Sequence, residues 1–523
     1  MCRIYPIDTV FCFFLQKNSN FLRSPSSQRA EICYNESCAI TIFHIEDVLY
    51  PCQGEHWEGG PFFVFGSRLF PGGIHPHEGK NGKAVNGLNA IEVLAAPPRV
   101  IIPLSQHIGA PAKALVQKGD HVRVGQLIGE AGGFMSAPVH ASVSGTVVDI
   151  QPCILANGGH SMAIIIDNDY KDEWVELTPN DHPESLSAAE LQQIVRDAGI
   201  VGLGGATFPT SVKLSPPKGK TIEMFVINGA ECEPYLTADH RLMVEHADRI
   251  IDGIRLMMKA LDVKKAIIGI ENNKPDAVSA MTAAAASAEG IEVRALPVRY
   301  PQGGEKQLIY ATTKRKVPCG GLPLDVGVVV ANVGTCYAID RAIREGRPLV
   351  ERVTTVGGLV NKPSNFLVRI GTPISHLIEA AGGMEDGVKQ LLSGGPMMGM
   401  AISRTDIPVT KGCSGVLCLG REAVEPEESA CIRCGRCMRA CPMNLAPAKL
   451  DSLMRAERYT DAANAGAMNC IECGCCTFVC PAKRQLTQSI RVVKRIEGDR
   501  RRKAAAAAKA AEAAKAAEAK KEG

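Results

Sequence analysis

The sequence predicts a multidomain α/β protein: an N-terminal β barrel-sandwich, a central α/β domain, a β-grasp module and a C-terminal helical module. Three observations support this prediction. Short apolar runs separated by glycine turns occupy residues 99–150. Apolar strand-like runs then alternate with helical patterns over residues 187–350, which is typical of a mostly parallel sheet. Two cysteine runs with one shared spacing follow near the C-terminus.

The first two segments differ in composition. Residues 1–64 form an atypical extension without clear periodicity, and residues 65–185 are predicted to form the barrel domain. Strand–turn–strand patterns at 116–128 and 136–148 resemble the flattened β-barrel of biotinyl and lipoyl carrier domains. Such carriers need a lysine at a hairpin tip, and residues 137–144 contain none. The barrel is therefore predicted without the carrier function.

The central α/β domain is predicted over residues 186–351. Ser187 and Glu190 have the spacing of a capping box, which opens a helix extending through Asp197. Ligands of parallel sheets bind beyond the carboxyl ends of the strands, so a site is expected there. The predicted elements are strands at 224–227, 266–270 and 326–332 and a helix at about 238–261.

Three further segments complete the chain. Residues 352–420 contain two strands and a helix, the pattern of a β-grasp module. Residues 421–498 hold the two cysteine runs, joined by a helical connector at 448–463. Residues 499–523 are rich in Ala, Lys and Glu, without an apolar face, and are predicted to be a solvated, partly disordered helix.

Both cysteine runs read C-x-x-C-x-x-C-x-x-x-C-P, the spacing of ferredoxins with two [4Fe–4S] clusters. In that arrangement the fourth cysteine of each run ligates the other cluster. A zinc site would leave half of these thiols unused, and disulfide frameworks suit small secreted domains. Cys475 is out of phase and is predicted to be a packed or free thiol. The predicted ligands are Cys431, Cys434, Cys437 and Cys480 for one cluster, and Cys470, Cys473, Cys476 and Cys441 for the other.

Composition narrows the functional class. Of 20 cysteines, eight have the spacing of the two runs and the other twelve have no pairing pattern, which indicates a reducing compartment such as the cytoplasm. Residues 499–523 carry eight basic and four acidic side chains, so the tail has a charge of +4 and the remainder −1. A body this close to neutral argues against nucleic-acid binding. No apolar stretch approaches the length of a membrane span.

A glycine-rich loop is a second candidate binding site. Residues 202–213 read GLGGATFPTSVK, and close backbone approach with one cation suits a phosphate, although an ordinary glycine-rich turn has equal weight. The loop matches neither a P-loop nor a dinucleotide fingerprint. Polar motifs follow at 228–235 (NGAECEPY), 303–306 (GGEK) and 331–335 (ANVGT).

This order of motifs is similar to the flavin-carrying, NADH-oxidising subunit of respiratory complex I. With the GGIHP opening at 72–76, the barrel and the two ferredoxin runs, the chain resembles the RnfC/RsxC family of the Rnf/Rsx ion-translocating electron-transport complex. The resemblance covers about residues 65–500. It implies bound FMN, NADH as electron donor, an SLBB-like β-grasp module, and peripheral attachment at the cytoplasmic face of the bacterial inner membrane. Integral membrane and iron–sulfur subunits would be its partners.

The resemblance also implies roles for single residues. Glu231, Glu233 and Glu305 would be catalytic, shaping the approach of the nicotinamide and completing the pocket. Phe208 would stack on a nucleotide ring. The other implied cofactor-binding residues are Gly202, Gly204, Gly205 and Lys213 at the FMN phosphate, and Asn228, Asn332 and Thr335 around the remaining flavin.

Four positions depart from the complex I pattern. In this chain Leu203 replaces an Arg, Ala230 an Asp, Cys232 a Ser and Lys306 a Glu. These changes alter the charge around the flavin, so a flavin-free iron–sulfur relay and scaffold is the alternative interpretation. A non-redox docking protein is a weaker alternative, because eight cysteines at cluster spacing argue against it.

Overall fold

The computed structural model of the chain describes residues 70–217, 219–421 and 427–519, with side chains to residue 509. The predicted extension at 1–64 lies outside the described residues. The described part contains two small antiparallel sheets, a parallel sheet and a mixed sheet, followed by helices. This arrangement confirms the predicted multidomain α/β fold class.

The barrel-sandwich comprises two antiparallel sheets, with strand orders β2-β8-β7-β4 and β3-β5-β6. Val100, Ile128, Val147 and Ile164 are fully buried between them, so the alternating apolar residues of the sequence form this core. The elements up to this point are helix α1 (Lys83–Asn86) and strands β1 (Ile91–Val93), β2 (Arg99–Pro103), β3 (Lys113–Ala114), β4 (His121–Val122), β5 (Leu127–Glu130), β6 (Val139–His140), β7 (Gly145–Ile154) and β8 (His160–Asn168).

The central domain is a four-stranded parallel sheet of order β11-β10-β9-β12 with helices on both faces. Phe225 and Ile227 face the helices α5 and α8, whereas Val226 faces α7. Its elements are α2 (Ala188–Asp197), α3 (Thr210–Lys213), β9 (Met224–Gly229), α4 (Ala238–Glu245), α5 (Ala247–Leu261), β10 (Ala266–Glu271), α6 (Pro275–Ala285), β11 (Ile291–Leu296), α7 (Glu305–Thr313), β12 (Val328–Asn332) and α8 (Val333–Arg344).

Two helix predictions in this domain have different outcomes. The capping box of Ser187 and Glu190 is present in both directions, which confirms the predicted start of α2. The single helix predicted over 238–261 is wrong, because the chain breaks at His246 into α4 and α5. His246 has a φ of −134° and stacks on Tyr337 with ring centroids 5.0 Å apart. Tyr337 is distant from His246 in the sequence, so local sequence patterns could not predict this ring contact.

The β-grasp region is larger than predicted, because its two expected strands belong to a six-stranded mixed sheet of order β1-β14-β13-β17-β15-β16. Strand β1 reaches this sheet from before the barrel and pairs in parallel with β14. Four of the strands, β1, β15, β16 and β17, were not predicted, because they are short and separated by long connections. The elements are β13 (Glu351–Gly358), β14 (Ser364–Arg369), α9 (Ile374–Ala380), β15 (Gln390–Ser393), β16 (Met400–Ile402) and β17 (Gly415–Leu419).

The C-terminal module is helical and carries both cysteine runs. Its helices are α10 (Arg436–Ala440), α11 (Pro447–Arg455), α12 (Tyr459–Asn464), α13 (Cys475–Phe478) and α14 (Leu486–Ala519). The predicted connector is thus two helices, α11 and α12, which pack on the first half of α14 through Leu450, Ala462 and Ile490. Among the described helices, none combines the length and apolar character that crossing a bilayer requires.

Candidate functional site

The carboxyl ends of β9 and β12 bring two predicted site residues side by side. Asn228 and Asn332 are register partners in the parallel pairing of these strands. The Asn228 amide donates to the carbonyl of Gly303 at 2.9 Å, and its oxygen accepts from the N–H of Ala230 at 3.1 Å. Asn332 caps helix α8 by accepting from the N–H of Gly334 at 2.9 Å. The edge predicted to hold a ligand is therefore lined by these amides.

The glycine-rich loop lies against the same edge. The N–H of Leu203 donates to the hydroxyl of Thr335 at 3.0 Å, which joins the loop to the first turn of α8. A Cβ added at Gly204 would lie 3.3 Å from the Cβ of Asn332. Gly205 has a φ of +107° and an open surrounding, with no atom within 4 Å of an added Cβ. Exposed backbone in this conformation, beside a helix N-terminus, fits an anion such as the FMN phosphate.

Lys213 supplies a partly buried cation at the rim of the loop. Its ammonium donates to the carbonyl of Val330 at 3.0 Å and lies 3.7 Å from the carboxylate of Glu305. It also lies 5.9 Å from the ring centroid of Phe208. Glu305 begins α7 directly after the two glycines of the third motif. The structure thus brings Phe208, Lys213 and Glu305 together, as expected of one pocket.

The Glu231 carboxylate lies at the N-terminus of helix α4. Its two carboxylate oxygens accept from the N–H groups of Asp239 at 2.8 Å and His240 at 3.0 Å, so it caps helix α4. The Lys83 ammonium donates to its carbonyl. Burial, together with the neighbouring Asp239 carboxylate, raises the pKa of Glu231. Its observed contacts are those of a residue that shapes the loop.

Glu233 connects the central domain to the mixed sheet and to the cluster module. One carboxylate oxygen lies 3.2 Å from the hydroxyl of Tyr300, and the other accepts from the N–H of Met397 at 3.0 Å. The same Tyr300 hydroxyl lies 2.8 Å from the carbonyl of Cys473. Burial raises the pKa of Glu233 to about 7. One tyrosine therefore links the motif of Glu233 to the second cysteine run.

The three departures from the complex I pattern other than Leu203 also have polar partners. The carbonyl of Ala230 accepts from the buried ammonium of Lys274 at 2.8 Å. The Cys232 sulfur accepts from the N–H of Gly303 at 3.2 Å, and burial raises the pKa of its thiol to about 12. The Lys306 ammonium donates to the carbonyl of Pro318 at 3.2 Å. Lys274 was not predicted as a site residue, because the local sequence shows only a lysine that follows a strand.

A segment at residues 70–83, here named the N-terminal strap, joins both candidate cofactor regions. The N–H of Gly73 donates to the carbonyl of Ala440 at 3.0 Å, and Ile74 exchanges two backbone hydrogen bonds with Tyr300. Lys83 at its other end contacts the carbonyl of Glu231. From the sequence, this segment is recognisable only as an irregular opening, because its partners are distant in the chain.

The second cysteine run surrounds a cavity together with the last cysteine of the first run. Cys441 lines this cavity with Cys470, Cys473 and Cys476. These are the four thiols predicted for one cluster, so the donor set fits a [4Fe–4S] cluster held by crossed ligation. Cys475 is fully buried and lines the same cavity, as a packed thiol would.

The first two cysteines of the first run lie at the surface. Cys431 and Cys434 are exposed, whereas Cys437 is buried in an apolar cluster with Cys476 and Leu486, against which Cys480 packs. The position of Cys480 beside this cluster is compatible with crossed ligation, which stays a prediction. Since the other two thiols lie on a solvent-exposed loop, the two predicted clusters differ in access.

Comparison with known families agrees with this division of the chain. A model of the RnfC barrel sandwich hybrid domain matches residues 68–171, and one of the Nuo51 FMN-binding domain matches residues 195–341. The SLBB domain matches residues 353–401, and the 4Fe-4S dicluster domain matches residues 430–483. These matches confirm the predicted fold class and its cofactors, FMN and two [4Fe–4S] clusters. The FMN-binding match argues against the flavin-free alternative.

Three relatives are similar over most of their length. The C subunit of the proton-translocating ferredoxin:NAD(+) oxidoreductase complex of Clostridium ljungdahlii is 49% identical over 431 residues, covering 82% of this chain and 93% of the relative. The C subunit of the Na(+)-translocating complex of Acetobacterium woodii is 45% identical, covering 82% and 96%. The C subunit of the ion-translocating oxidoreductase complex of Rhodobacter capsulatus is 42% identical, covering 81% and 82%. The chain therefore belongs to the RnfC family, the C subunits of the ion-translocating ferredoxin:NAD oxidoreductase complexes.

Proposed function

We propose that this chain is the subunit at which electrons pass between NAD(H) and its complex, through FMN and the two clusters, to or from partner subunits. The observation that carries this proposal is the Tyr300 hydroxyl, which lies 3.2 Å from Glu233 and 2.8 Å from the carbonyl of Cys473. It joins the flavin domain to the wall of a cluster cavity. The names of the relatives support NAD(H) as the substrate.

The chain's own residues have distinct tasks in this proposal. Gly204 and Gly205 would present backbone N–H groups to the FMN phosphate, and Lys213 would supply a cation at the rim. The N–H of Gly202 instead donates to the carbonyl of Phe208 at 2.9 Å, so Gly202 closes the loop. When bound, FMN converts the two-electron chemistry of NADH into single electrons that a [4Fe–4S] cluster accepts. Asn228 and Asn332 would border the flavin ring at the sheet edge, and Thr335 supports the glycine-rich loop.

Among the three glutamates, Glu305 is the one whose contacts leave it facing the site. It is 44% exposed at its side chain and shares Lys213 with the phosphate cradle. We assign Glu305 and Phe208 to the approach of the nucleotide. Glu233 and Glu231 act as positioning residues, because their carboxylates are occupied by Tyr300 and Met397 and by the N-terminus of α4.

The two clusters have an order in this proposal. Cys470, Cys473, Cys476 and Cys441 would hold the cluster on the side of the flavin domain, because Tyr300 joins their cavity to the loop of Glu233. Cys431, Cys434, Cys437 and Cys480 would hold the cluster that faces the partner subunit, because Cys431 and Cys434 are exposed. With both clusters bound, this order would serve either direction of electron flow, oxidation of NADH or reduction of NAD.

We place the subunit peripherally at the cytoplasmic face of the inner membrane, beside integral membrane and iron–sulfur subunits. The support is the family to which the chain belongs and the names of its relatives as parts of a complex. Co-sedimentation with membranes only when these partner subunits are co-expressed tests the placement. Binding to membranes that lack them would contradict it.

The central experiment measures flavin and iron in anaerobically purified protein before and after addition of NADH. Wild type is expected to contain extractable FMN and to show bleaching of flavin and then of cluster absorbance. Gly204→Val crowds Asn332, and Lys213→Ala removes a charge-assisted contact worth about 1.5–3 kcal/mol. Both variants should bind FMN about ten- to a hundredfold more weakly, with full iron content and with both clusters still reducible by dithionite.

Two matched variants control this experiment. Gly133→Val adds the same side chain where an added Cβ meets no atom within 4 Å. Lys118→Ala removes an exposed lysine of the barrel domain. Both controls are expected to keep the wild-type flavin content. Stoichiometric flavin and normal NADH oxidation in Gly204→Val or Lys213→Ala would contradict the assigned site.

A further inference from the structure

A cavity lies between the central domain and the mixed sheet, and neither cysteine run lines it. It encloses about 440 Å³ of empty space, part of it open to solvent. Its walls come from helices α4 and α8, strands β13 and β14 and the segment that precedes β13. None of the residues assigned above to FMN, the nucleotide or the clusters lines it. Pockets for small molecules are often found at such junctions between domains.

Most of the cavity wall is apolar. A ligand that carries hydrocarbon gains from such a wall, whereas a hydrated inorganic ion would lose water there without a replacement. The wall therefore favours an organic ligand. Its main apolar side chains are those of Leu203, Leu242, Ala338, Leu349, Val353 and Leu367.

The same wall contains a buried cation, Arg352, which is only 6% exposed. Its Nε donates to the carbonyl of Val353 at 3.1 Å and its Nη1 to that of Lys411 at 2.5 Å, and no hydrogen bond of the described residues engages Nη2. In the part of the chain that the structure describes, no carboxylate forms an ion pair with it. Burial lowers the pKa of this guanidinium, although the carboxylates of Asp239 and Glu231, beyond ion-pair distance, act in the opposite direction. A buried charge without a counter-ion is unfavourable, so an anion in the cavity would stabilise it.

The other charged groups of the wall already have partners. Arg341 contacts Glu351 at 2.6 Å, and Arg347 contacts Glu345 at 3.1 Å. Glu351, the acidic member of the lining, is thereby occupied. Among the charged residues that line the cavity, Arg352 is the one left to bind a ligand.

We propose that this cavity binds a small organic carboxylate, whose carboxyl group pairs with Arg352 and whose hydrocarbon part contacts the apolar wall. Guanidinium and carboxylate groups match in geometry and form short, charge-assisted hydrogen bonds. The Nη2 group is available for such a bond. The inference goes beyond the proposed function and does not depend on it, because the cavity shares no lining residue with the assigned FMN and cluster sites.

Leu203 connects the cavity to the glycine-rich loop. Its side chain lines the cavity, its N–H donates to the hydroxyl of Thr335 at 3.0 Å, and its carbonyl lies 3.5 Å from Nη1 of Arg352. A carboxylate that draws on Arg352 therefore also acts on a contact of the loop. We expect the carboxylate and FMN to change each other's affinity by one limited factor, as linkage requires, without excluding each other.

The test uses the full chain, purified anaerobically, and butyrate as the probe in titration calorimetry. Wild type is expected to bind butyrate. Butyramide has the same shape without the charge, and inorganic phosphate has charge without hydrocarbon, so each should bind at least about tenfold more weakly. Absence of butyrate binding, or equal affinity for either of the other two probes, overturns the proposal.

Two variants locate the binding. Arg352→Met removes the cation, and Ala338→Leu fills the cavity while leaving Arg352 in place, so each should weaken butyrate binding at least about tenfold. If Arg352→Met fails to fold, Ala338→Leu decides the question alone. Ala283→Leu, on an exposed position of α6, and Arg404→Met, at an exposed arginine paired with Asp406, are matched controls and should stay within about twofold of wild type. Unchanged binding in Ala338→Leu, or an equal loss in the controls, overturns the proposal.

A last measurement separates this cavity from the assigned FMN site. Butyrate is titrated into protein freed of flavin and then into the same protein at increasing FMN. Two coupled sites give an apparent dissociation constant for butyrate that reaches a plateau, whereas a shared site gives one that rises in proportion to FMN. A proportional rise assigns the cavity to the flavin and overturns the proposal. If the chain binds no FMN, the proposed function fails, whereas butyrate binding and its loss in Ala338→Leu still support the carboxylate site.

Discussion

The two cysteine runs have the same spacing but lie in opposite surroundings. Cys473 and Cys476 are each 7% exposed in a cavity reached by Tyr300, whereas Cys431 and Cys434 lie at the surface. The acidic residue within the buried run, Glu472, is paired with two basic side chains of α14, whereas the arginines of the exposed run have no ion pair among the described residues. Spacing thus determines which cofactor is held, and the surroundings determine what that cofactor can exchange electrons with.

The largest expected effect comes from replacing Cys441, the cysteine of the first run that is predicted to ligate the cluster of the second run. Cys441→Ser removes a ligand from the buried cluster, although Cys441 belongs to the first run, so that cluster should be lost or altered. Cys434→Ser should affect only the exposed cluster. Each variant is expected to lose up to about four irons, and reduction of the remaining cluster by NADH should persist only in Cys434→Ser. EPR spectra after NADH and after dithionite distinguish the two cases.

Cys475→Ala is the matched control for that comparison. Cys475 is fully buried beside the same cavity but is out of phase with the ligands, so this variant should retain both clusters and NADH-driven reduction. If Cys441→Ser instead alters the exposed cluster, each run ligates its own cluster and the crossed arrangement is wrong.

A smaller effect is expected from Tyr300→Phe, which removes the hydroxyl between Glu233 and the carbonyl of Cys473. A buried hydrogen-bonding group left without its partner costs about 1–3 kcal/mol, so the midpoint of thermal unfolding should fall. At unchanged flavin content, NADH should reduce the buried cluster several-fold more slowly. Tyr310→Phe, on helix α7, serves as the control. Unchanged stability and cluster kinetics in Tyr300→Phe would show that the link is unimportant.

The smallest expected effect is a pH dependence of the free energy of unfolding, caused by Glu233 near the buried cysteine run. Burial raises the pKa of Glu233 from 4.5 to about 7, so the folded protein holds this proton more tightly than the unfolded chain. The resulting stabilisation is complete below about pH 4.5 and disappears as the pH rises through about 7. Glu233 keeps some solvent contact, so about 1–2 kcal/mol is expected.

Glu233→Gln removes this titration while keeping the shape of the side chain. Between about pH 5.5 and 7.5, the unfolding midpoint of the variant relative to wild type should therefore rise with pH. Glu379→Gln changes an exposed glutamate of helix α9 and should show no such trend. A constant difference between Glu233→Gln and wild type would mean that Glu233 in the folded protein does not titrate with a raised pKa in this range.

Features encoded by neighbouring residues could be predicted from the sequence, whereas features built from distant ones could not. The ligand spacing, the capping box of Ser187 and the glycine-rich loop each depend on a few adjacent positions. The break at His246 depends on Tyr337, which is distant in the chain, and the role of Tyr300 depends on Cys473. Likewise, the position of Glu231 on a helix N-terminus could not be predicted from its motif, which suits a catalytic group equally well.

The N-terminal strap has a consequence for how this protein unfolds. Through Gly73 it holds the cluster module, and through Ile74 and Lys83 it holds the central domain. Local opening of either region releases the strap from the other, so amide protection in both should fall together in hydrogen exchange. The electron-transfer modules then melt as one cooperative unit, and residues 427–519 expressed alone would leave the carbonyl of Ala440 and its apolar neighbours uncovered.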